Sequence, residues 1–271
     1  MKRPFQQSVA VLALFAAFAV GAQGIDQGIA KYRSGDFSGA LGDFVPLAEQ
    51  GGARAQMLVG LMYANGQGVA QDSEAAAMWL RRAAEQEHVQ SQVILAQMYT
   101  QGAGVTADLA EAANWYRSAA EQGDAGAQST LGSMYTRGEG VSQDNTVGAA
   151  WFRLAADQGH SHSQYSLGVM YANGQGVATD NVEAAGWYRR AAEQGHTSAQ
   201  YNLGLMYYHG TGVTQDNVMA HVWSTIAFVN GHENAAVARD AIVEEMTATD
   251  MYESQEIALN CIEQGFAGCS R

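Results

Sequence analysis

The 271-residue chain is 47% hydrophobic and carries 14 Lys+Arg against 27 Asp+Glu, a formal charge of −13. That much apolar material excludes wholesale disorder, and the acidic balance argues against a nucleic-acid partner or docking on anionic lipid. Two cysteines cannot build a Cys-rich zinc site or a disulfide-framework miniprotein, and 2 prolines against 31 glycines point to helices punctuated by glycine turns.

Lys2 and Arg3 precede an uninterrupted apolar run from Val9 to Val20, 12 residues long. A bilayer-spanning helix needs about 18 to 20 residues, so the run fits the hydrophobic region of a secretory signal instead. Residues 1–22 are read as that signal, with Val20 and Ala22 at the −3 and −1 positions of the cut. Cleavage removes two bases and no acid, leaving 12 basic residues against 27 acidic, a charge of −15. No second long apolar run follows. The mature chain is expected to be periplasmic or secreted, without membrane insertion.

Residues 23–52 form a shorter opening unit, in which Ala48-Glu49-Gln50-Gly51 matches the closing Ala84-Glu85-Gln86 of the unit after it. Residues 53–231 then hold one pattern five times over. Trp79, Trp115, Trp151, Trp187 and Trp223 are each 36 residues apart. Columns headed by Gln56 and Tyr63 keep the same spacing, as do paired glycines from Gly66/Gly68 to Gly210/Gly212, each pair followed by Val. A period in the range of about 20 to 50 residues is the signature of a solenoid or array.

Each unit reads as two helices. In the first copy Ala55, Val59, Met62 and Tyr63 fall on one apolar stripe, helix A. Gly66-Gln67-Gly68 ends it, because glycine takes left-handed backbone angles cheaply. Asp72, repeated as Asp108, Asp144, Asp180 and Asp216, sits where an N-cap belongs, and Asp108/Glu111 and Asp180/Glu183 have capping-box spacing. Helix B follows, burying Ala76, Trp79, Leu80 and Ala83. Gly60, Gly132, Gly168 and Gly204, with Ala96 in the second copy, keep helix A small where Trp and Tyr are expected to fill in. Beyond Gly231 the pattern lapses into two helical stretches, roughly 233–247 and 250–263, so residues 232–271 are read as C-terminal capping helices and tail. Cys261 and Cys269 are expected to form a disulfide pinning that tail; the alternative, two unpaired thiols, is disfavoured in an oxidising compartment.

The repeated unit Ala-Gln-x-x-Leu-Gly-x-Met-Tyr-x-x-Gly-x-Gly-Val-x-x-Asp…Ala-x-x-Trp-Tyr-Arg-x-Ala-Ala-Glu-Gln-Gly resembles the Sel1-like repeat, a relative of the tetratricopeptide repeat with a longer inter-helix loop. The resemblance covers residues 25–231. It implies an all-α, right-handed α-solenoid of helix–turn–helix repeats between N- and C-terminal caps, acting as a scaffold or adaptor. It conveys fold and style of interaction, not a substrate.

Catalytic signals are missing. A branch of the same family, cysteine-rich and secreted, has been linked to β-lactam binding and hydrolysis, and an enzyme of that β-lactamase-like type is the rival reading. That branch carries a cysteine pair in every repeat, and this chain has none there. Lys31 is the one lysine left after cleavage, and Gly28 stands where a Ser-x-x-Lys nucleophile would need serine. His232-Glu233 starts a His-Glu-x-x-His motif that Ala236 and Val237 fail to complete. His88, His160, His196 and His232 share one register, with Asp124 in the remaining place. Ligands to one metal must converge to about 2.0–2.1 Å from it, whereas neighbouring helices are about 8–10 Å apart. These residues are therefore read as polar openings of helix A, with no metal site and no cofactor. Arg81, Arg82, Arg117, Arg153, Arg189 and Arg190 lie late in helix B, where the helix dipole and nearby acids favour them.

Fixed positions serve packing, so a partner should read the variable ones. On helix A these are Met57, Val93, Ser129, Tyr165 and Tyr201; then Leu61, Gln97, Ser133, Val169 and Leu205; then Asn65, Gln101, Arg137, Asn173 and His209. If helix A lines the concave side, the stripe is apolar and tyrosine-bearing at both ends. Met57, Leu61, Tyr165, Val169, Tyr201, Leu205, Tyr208 and His209 are the candidate contacts for a protein segment, and the chain is read as a monomer. The competing reading is that these side chains pack between repeats.

Overall fold

The computed structural model describes residues 24–269; the signal segment expected at 1–22 lies outside them. The described chain is all helical, with no strand. It divides into two compact units, the boundary falling between Gln122 and Gly123 in the sequence. The first holds α1 (24–33), α2 (Phe37–Glu49), α3 (Ala53–Asn65), α4 (Ser73–Ala84), α5 (Val89–Gln101) and α6 (Leu109–Glu121). The second holds α7 (Ala125–Arg137), α8 (Asn145–Asp157), α9 (Ser161–Asn173), α10 (Asn181–Glu193), α11 (Thr197–His209), α12 (Asn217–Val229), α13 (Ala235–Val243) and α14 (Ala248–Glu263). Helices α3, α5, α7, α9 and α11 are the expected A helices, and α4, α6, α8, α10 and α12 the B helices.

The link from A to B is fixed by the same atoms in each copy. Gly174 ends α9 in the left-handed conformation, at φ 68°. Asp180 then does two jobs. Its backbone N–H donates to Tyr171 O at 3.0 Å, closing the loop, and its carboxylate accepts from Val182 N and Glu183 N, capping α10. The second glycine of each pair has a purpose that a helix stop does not explain. Gly176 has φ 72°, and a Cβ there would lie 2.2 Å from Asn145 O at the start of α8. Gly212 stands in the same way on Asn181 O, at 2.0 Å. The loop of one repeat thus rests on the first turn of the preceding B helix, and only a residue without a side chain fits.

Two local expectations need correcting. The small positions of helix A are filled by the residue after each Trp: a Cβ on Gly60 would meet Leu80, on Gly132 Phe152, on Gly168 Tyr188 and on Gly204 Ser224. The tryptophans reach backward instead. Trp79 packs with Phe44 of α2, and Trp187 with Ala149 and Phe152 of α8. The reciprocal capping box forms at Thr247 and Asp250 of α14; Glu111 is turned aside to accept from the Trp115 indole at 3.1 Å.

The glutamine column carries the stacking. Gln164 is 4% exposed. Its Nε2 donates to Ala156 O at the end of α8 (3.1 Å), and its Oε1 accepts from Gln194 Nε2 just past α10 (2.7 Å). Gln56, Gln92 and Gln200 repeat both bonds, on Ala48, Ala84 and Ala192 and from Gln86, Gln122 and Asn230. One buried amide therefore joins three helices with both ends satisfied.

The arginines are clasps more than solvated ends. Arg81, Arg153 and Arg189 donate to the hydroxyls of Tyr99, Tyr171 and Tyr207 on the following A helix and lie over those rings. Arg153 and Arg190 also stack on the Trp187 ring, 4.9 and 4.5 Å from its centroid.

Past the fifth repeat, α13 and α14 both pack on α12. Covered on several sides, α12 buries nine of its 13 residues, Trp223 and Ile226 completely. Cys261 and Cys269 are both buried in that core, with Cα atoms 5.5 Å apart, inside the span that a disulfide bridges.

Gln164→Leu keeps the bulk and removes both bonds, leaving Ala156 O to the Gly159 N–H and Gln194 Nε2 to Arg190 O; urea unfolding should show a loss of about 1–3 kcal/mol. Trp187→Ala, which empties a packed aromatic site and takes the ring from under Arg153 and Arg190, should cost about 3–5 kcal/mol in the same experiment.

Candidate functional site

The eight candidate contacts do not stand out as one exposed stripe. All but His209 are half-buried, and Ser129, in the middle of their first column, is fully buried. Met57 packs against the Ala76, Leu80 and Met98 cluster, and Tyr165 and Val169 against the large core of the last repeats. Tyr165 also stacks on His196, with ring centroids 4.5 Å apart, and Tyr201 on His232 at 4.1 Å. Part of each side chain is therefore committed to the neighbouring repeat, while Tyr201 keeps a free edge.

That edge opens into a groove. Tyr201, Leu205, Tyr208 and His209 fall at i, i+4, i+7 and i+8 on α11 and form one wall of a cavity of about 420 Å³. Sequence reasoning missed the opposite wall, Asn234, Val237, Ala238 and Ala241, which runs from the N-cap along most of α13. The i, i+3, i+4, i+7 spacing of these small and apolar residues was the available signal. Val237 is 74% exposed on the rim. Tyr208 donates to Glu245 Oε1 at 2.7 Å, and that hydrogen bond holds the phenol above its ordinary pKa. An open trough with two tyrosines, a leucine and a valine suits the side chains of a protein segment better than an enclosed small molecule.

The histidine column is structural. His88, His160 and His196 are N-caps of α5, α9 and α11, their Nδ1 atoms accepting from Ser91 N, Ser163 N and Ala199 N. Asp124 does the same for α7 through Ala127 N, at 2.7 Å. His232 departs from the set: the N-cap of α13 is Asn234, which makes no side-chain capping bond, and the imidazole lies on Tyr201. Among the described residues no group of three or more His, Cys, Asp or Glu could hold a metal ion.

One buried titratable group stands apart from the groove. His221 on α12 is 4% exposed, with Nδ1 unpartnered; burial, and then the Arg239 charge, lower its pKa. Tyr188, pressed under α9, is pushed up to about 12 by burial.

The Sel1 repeat model matches residues 53–88, 89–124, 125–160, 161–196 and 197–228, the five units set out by the tryptophans. The chain belongs to the Sel1 repeat family. Its solved relatives share the all-helical solenoid. One is c5321, a protective antigen present in uropathogenic Escherichia coli strains and displaying an SLR fold. It is 34% identical with a TM-score of 0.80, over 96% of this chain. This chain spans only 57% of that protein's length. A Sel1 repeat protein from Oxalobacter formigenes is 30% identical over 81% of this chain and 87% of its own, with a TM-score of 0.69. Among curated proteins nothing matches.

The Sel1 caps carry a pH dependence. A protonated Nδ1 cannot accept the capping bond, and burial is the largest cause lowering the pKa of His88, His160 and His196. Below the ordinary histidine value of about 6.5 the unfolded chain therefore binds more protons than the fold. The stability from these caps is complete above that value and is lost as pH falls below it, through the lowered values of the folded state. The melting temperature should drop as the pH is taken below about 6.5. Replacing all three with Asp, the residue already at 124, should flatten the drop in thermal melts.

Proposed function

We propose that this Sel1 repeat protein is an exported, monomeric, non-catalytic scaffold that holds a segment of a partner protein against its A helices. The Sel1 architecture is consistent with protein–protein interaction, and no membrane-spanning helix is present among the described residues. The observation that carries the site is the convergence of four candidate contacts, Tyr201, Leu205, Tyr208 and His209, on one open groove completed by α13. Tyrosine and leucine offer large contact area at modest ordering cost, the composition of an interface centre. Likeness to a protective antigen supports export, as does the short apolar run after Lys2 and Arg3. In an oxidising compartment Cys261 and Cys269 would close their bridge.

Photocross-linking from position 205 in envelope material should yield a discrete adduct with another protein, while position 154, on the exposed side of α8, should not. Equal labelling from both positions would count against the groove. The mass of the purified exported chain should begin after Ala22. Nitrocefin turnover by pure protein above buffer would revive the enzyme reading; none is expected.

A further inference from the structure

The groove has a charge as well as a shape. Helix α11 contains no Lys, Arg, Asp or Glu, so its wall is neutral. Acids surround the other wall: Glu233 precedes α13, and Glu244 and Glu245 follow it, both exposed. Glu245 is fixed at one end of the groove by its 2.7 Å bond from Tyr208. The single base of the segment, Arg239, is turned away, its guanidinium 4.6 Å from the Phe228 ring centroid and paired to Asp240 at 2.9 Å. After the expected cleavage Lys31 is the one lysine of the chain, and it is bound to Asp43 far along the sequence. Among the described residues no Lys or Arg lines the groove beside Glu244 and Glu245.

Resting on the scaffold reading above, the geometry points to a basic amphipathic protein segment as the occupant. An aliphatic or aromatic anchor would sit between Leu205 and Val237, with a Lys or Arg within about one helical turn of it, facing Glu244 and Glu245. Each half of the recognition has its own reason. Val237 lies 74% exposed beside an apolar trough, surface that water covers poorly. The carboxylates lie at the trough's end, where a cation steers approach and fixes direction without being desolvated. An acidic segment would meet like charge, as would nucleic acid.

The test uses the mature protein and a phage-displayed library of random dodecapeptides, followed by fluorescence anisotropy on the selected peptides. Enriched peptides should pair a Leu, Phe or Trp with a Lys or Arg within four residues. Their affinity should fall about ten-fold or more, or about 1.4 kcal/mol, in both Val237→Asp and Glu244→Lys. Both positions are solvent-exposed, so melting temperatures should stay at the parent value. Added salt should weaken the same peptides. Enrichment of neutral or acidic peptides overturns the basic occupant even if Val237→Asp abolishes their binding. Cationic peptides that ignore Val237→Asp but are lost in Leu61→Asp overturn the groove while leaving a scaffold elsewhere on the A helices. No enrichment at all overturns both the occupant and the reading beneath it.

Discussion

The stacking of the repeats turns on one buried amide in each of them. A glutamine side chain has a donor end and an acceptor end, and desolvating either without a partner is costly. Gln164 and its equivalents satisfy both: the donor takes a carbonyl from the end of the preceding B helix, the acceptor takes an amide from the end of its own. Those carbonyls already accept one backbone N–H from the turn that ends their helix, Gly159 N in the case of Ala156 O. The glutamine column adds a second, side-chain bond to each, and that bond ties one repeat to the next and sets their register. A leucine of similar size would pack, but it would leave that register unspecified.

Around this relay the aromatic residues divide the work by direction. Tryptophan leans back onto the previous B helix, and tyrosine receives the arginine sent forward from it, so adjoining units are held from both sides. Where the relay stops, the protein changes tactics. The fifth B helix reads Asn-Val-Met-Ala-His-Val-Trp-Ser-Thr-Ile-Ala-Phe-Val, with Thr225 in place of the clasp arginine and no acid at its end. It is apolar nearly all round, which is how a covered helix is written, and α13 and α14 supply the cover. Apolar cover there leaves polar atoms unanswered: His221, Trp223, Ser224 and Thr225 each bury one without a hydrogen-bond partner.

The period, the helix pairs, the aspartate caps and the glycine stops were legible in the sequence because each depends on local backbone chemistry repeated five times. What was not legible depended on distance. Arg81, Arg153 and Arg189 looked sufficient as helix-end charges, and only the fold brings tyrosine hydroxyls within their reach. Variation between copies separated Tyr201 and Leu205 from the packing columns, yet it could not say how much of each side chain the next repeat would cover. The second wall of the groove was missed for a related reason. Helix α13 lies outside the periodic region, so no column comparison applied to Asn234, Val237, Ala238 or Ala241. The histidines were read as helix openings and are, with the exception of His232, whose helix starts two residues later.

The second glycine of each loop has a consequence for how such a chain can change length. Gly176 and Gly212 each stand on the first carbonyl of the B helix before them, a backbone atom that every unit presents regardless of its side chains. Each unit thus carries both a foot and a floor. A duplicated unit inserted between two others would find a floor beneath its own foot and offer one to the next, with no surface to redesign. Growth by whole-repeat duplication is therefore nearly free of structural conflict. A single residue gained or lost inside the loop, by contrast, would lift the foot from its carbonyl. Selection on such a family can act on copy number as a coarse adjustment of reach, leaving the variable A-helix positions to adjust what is held.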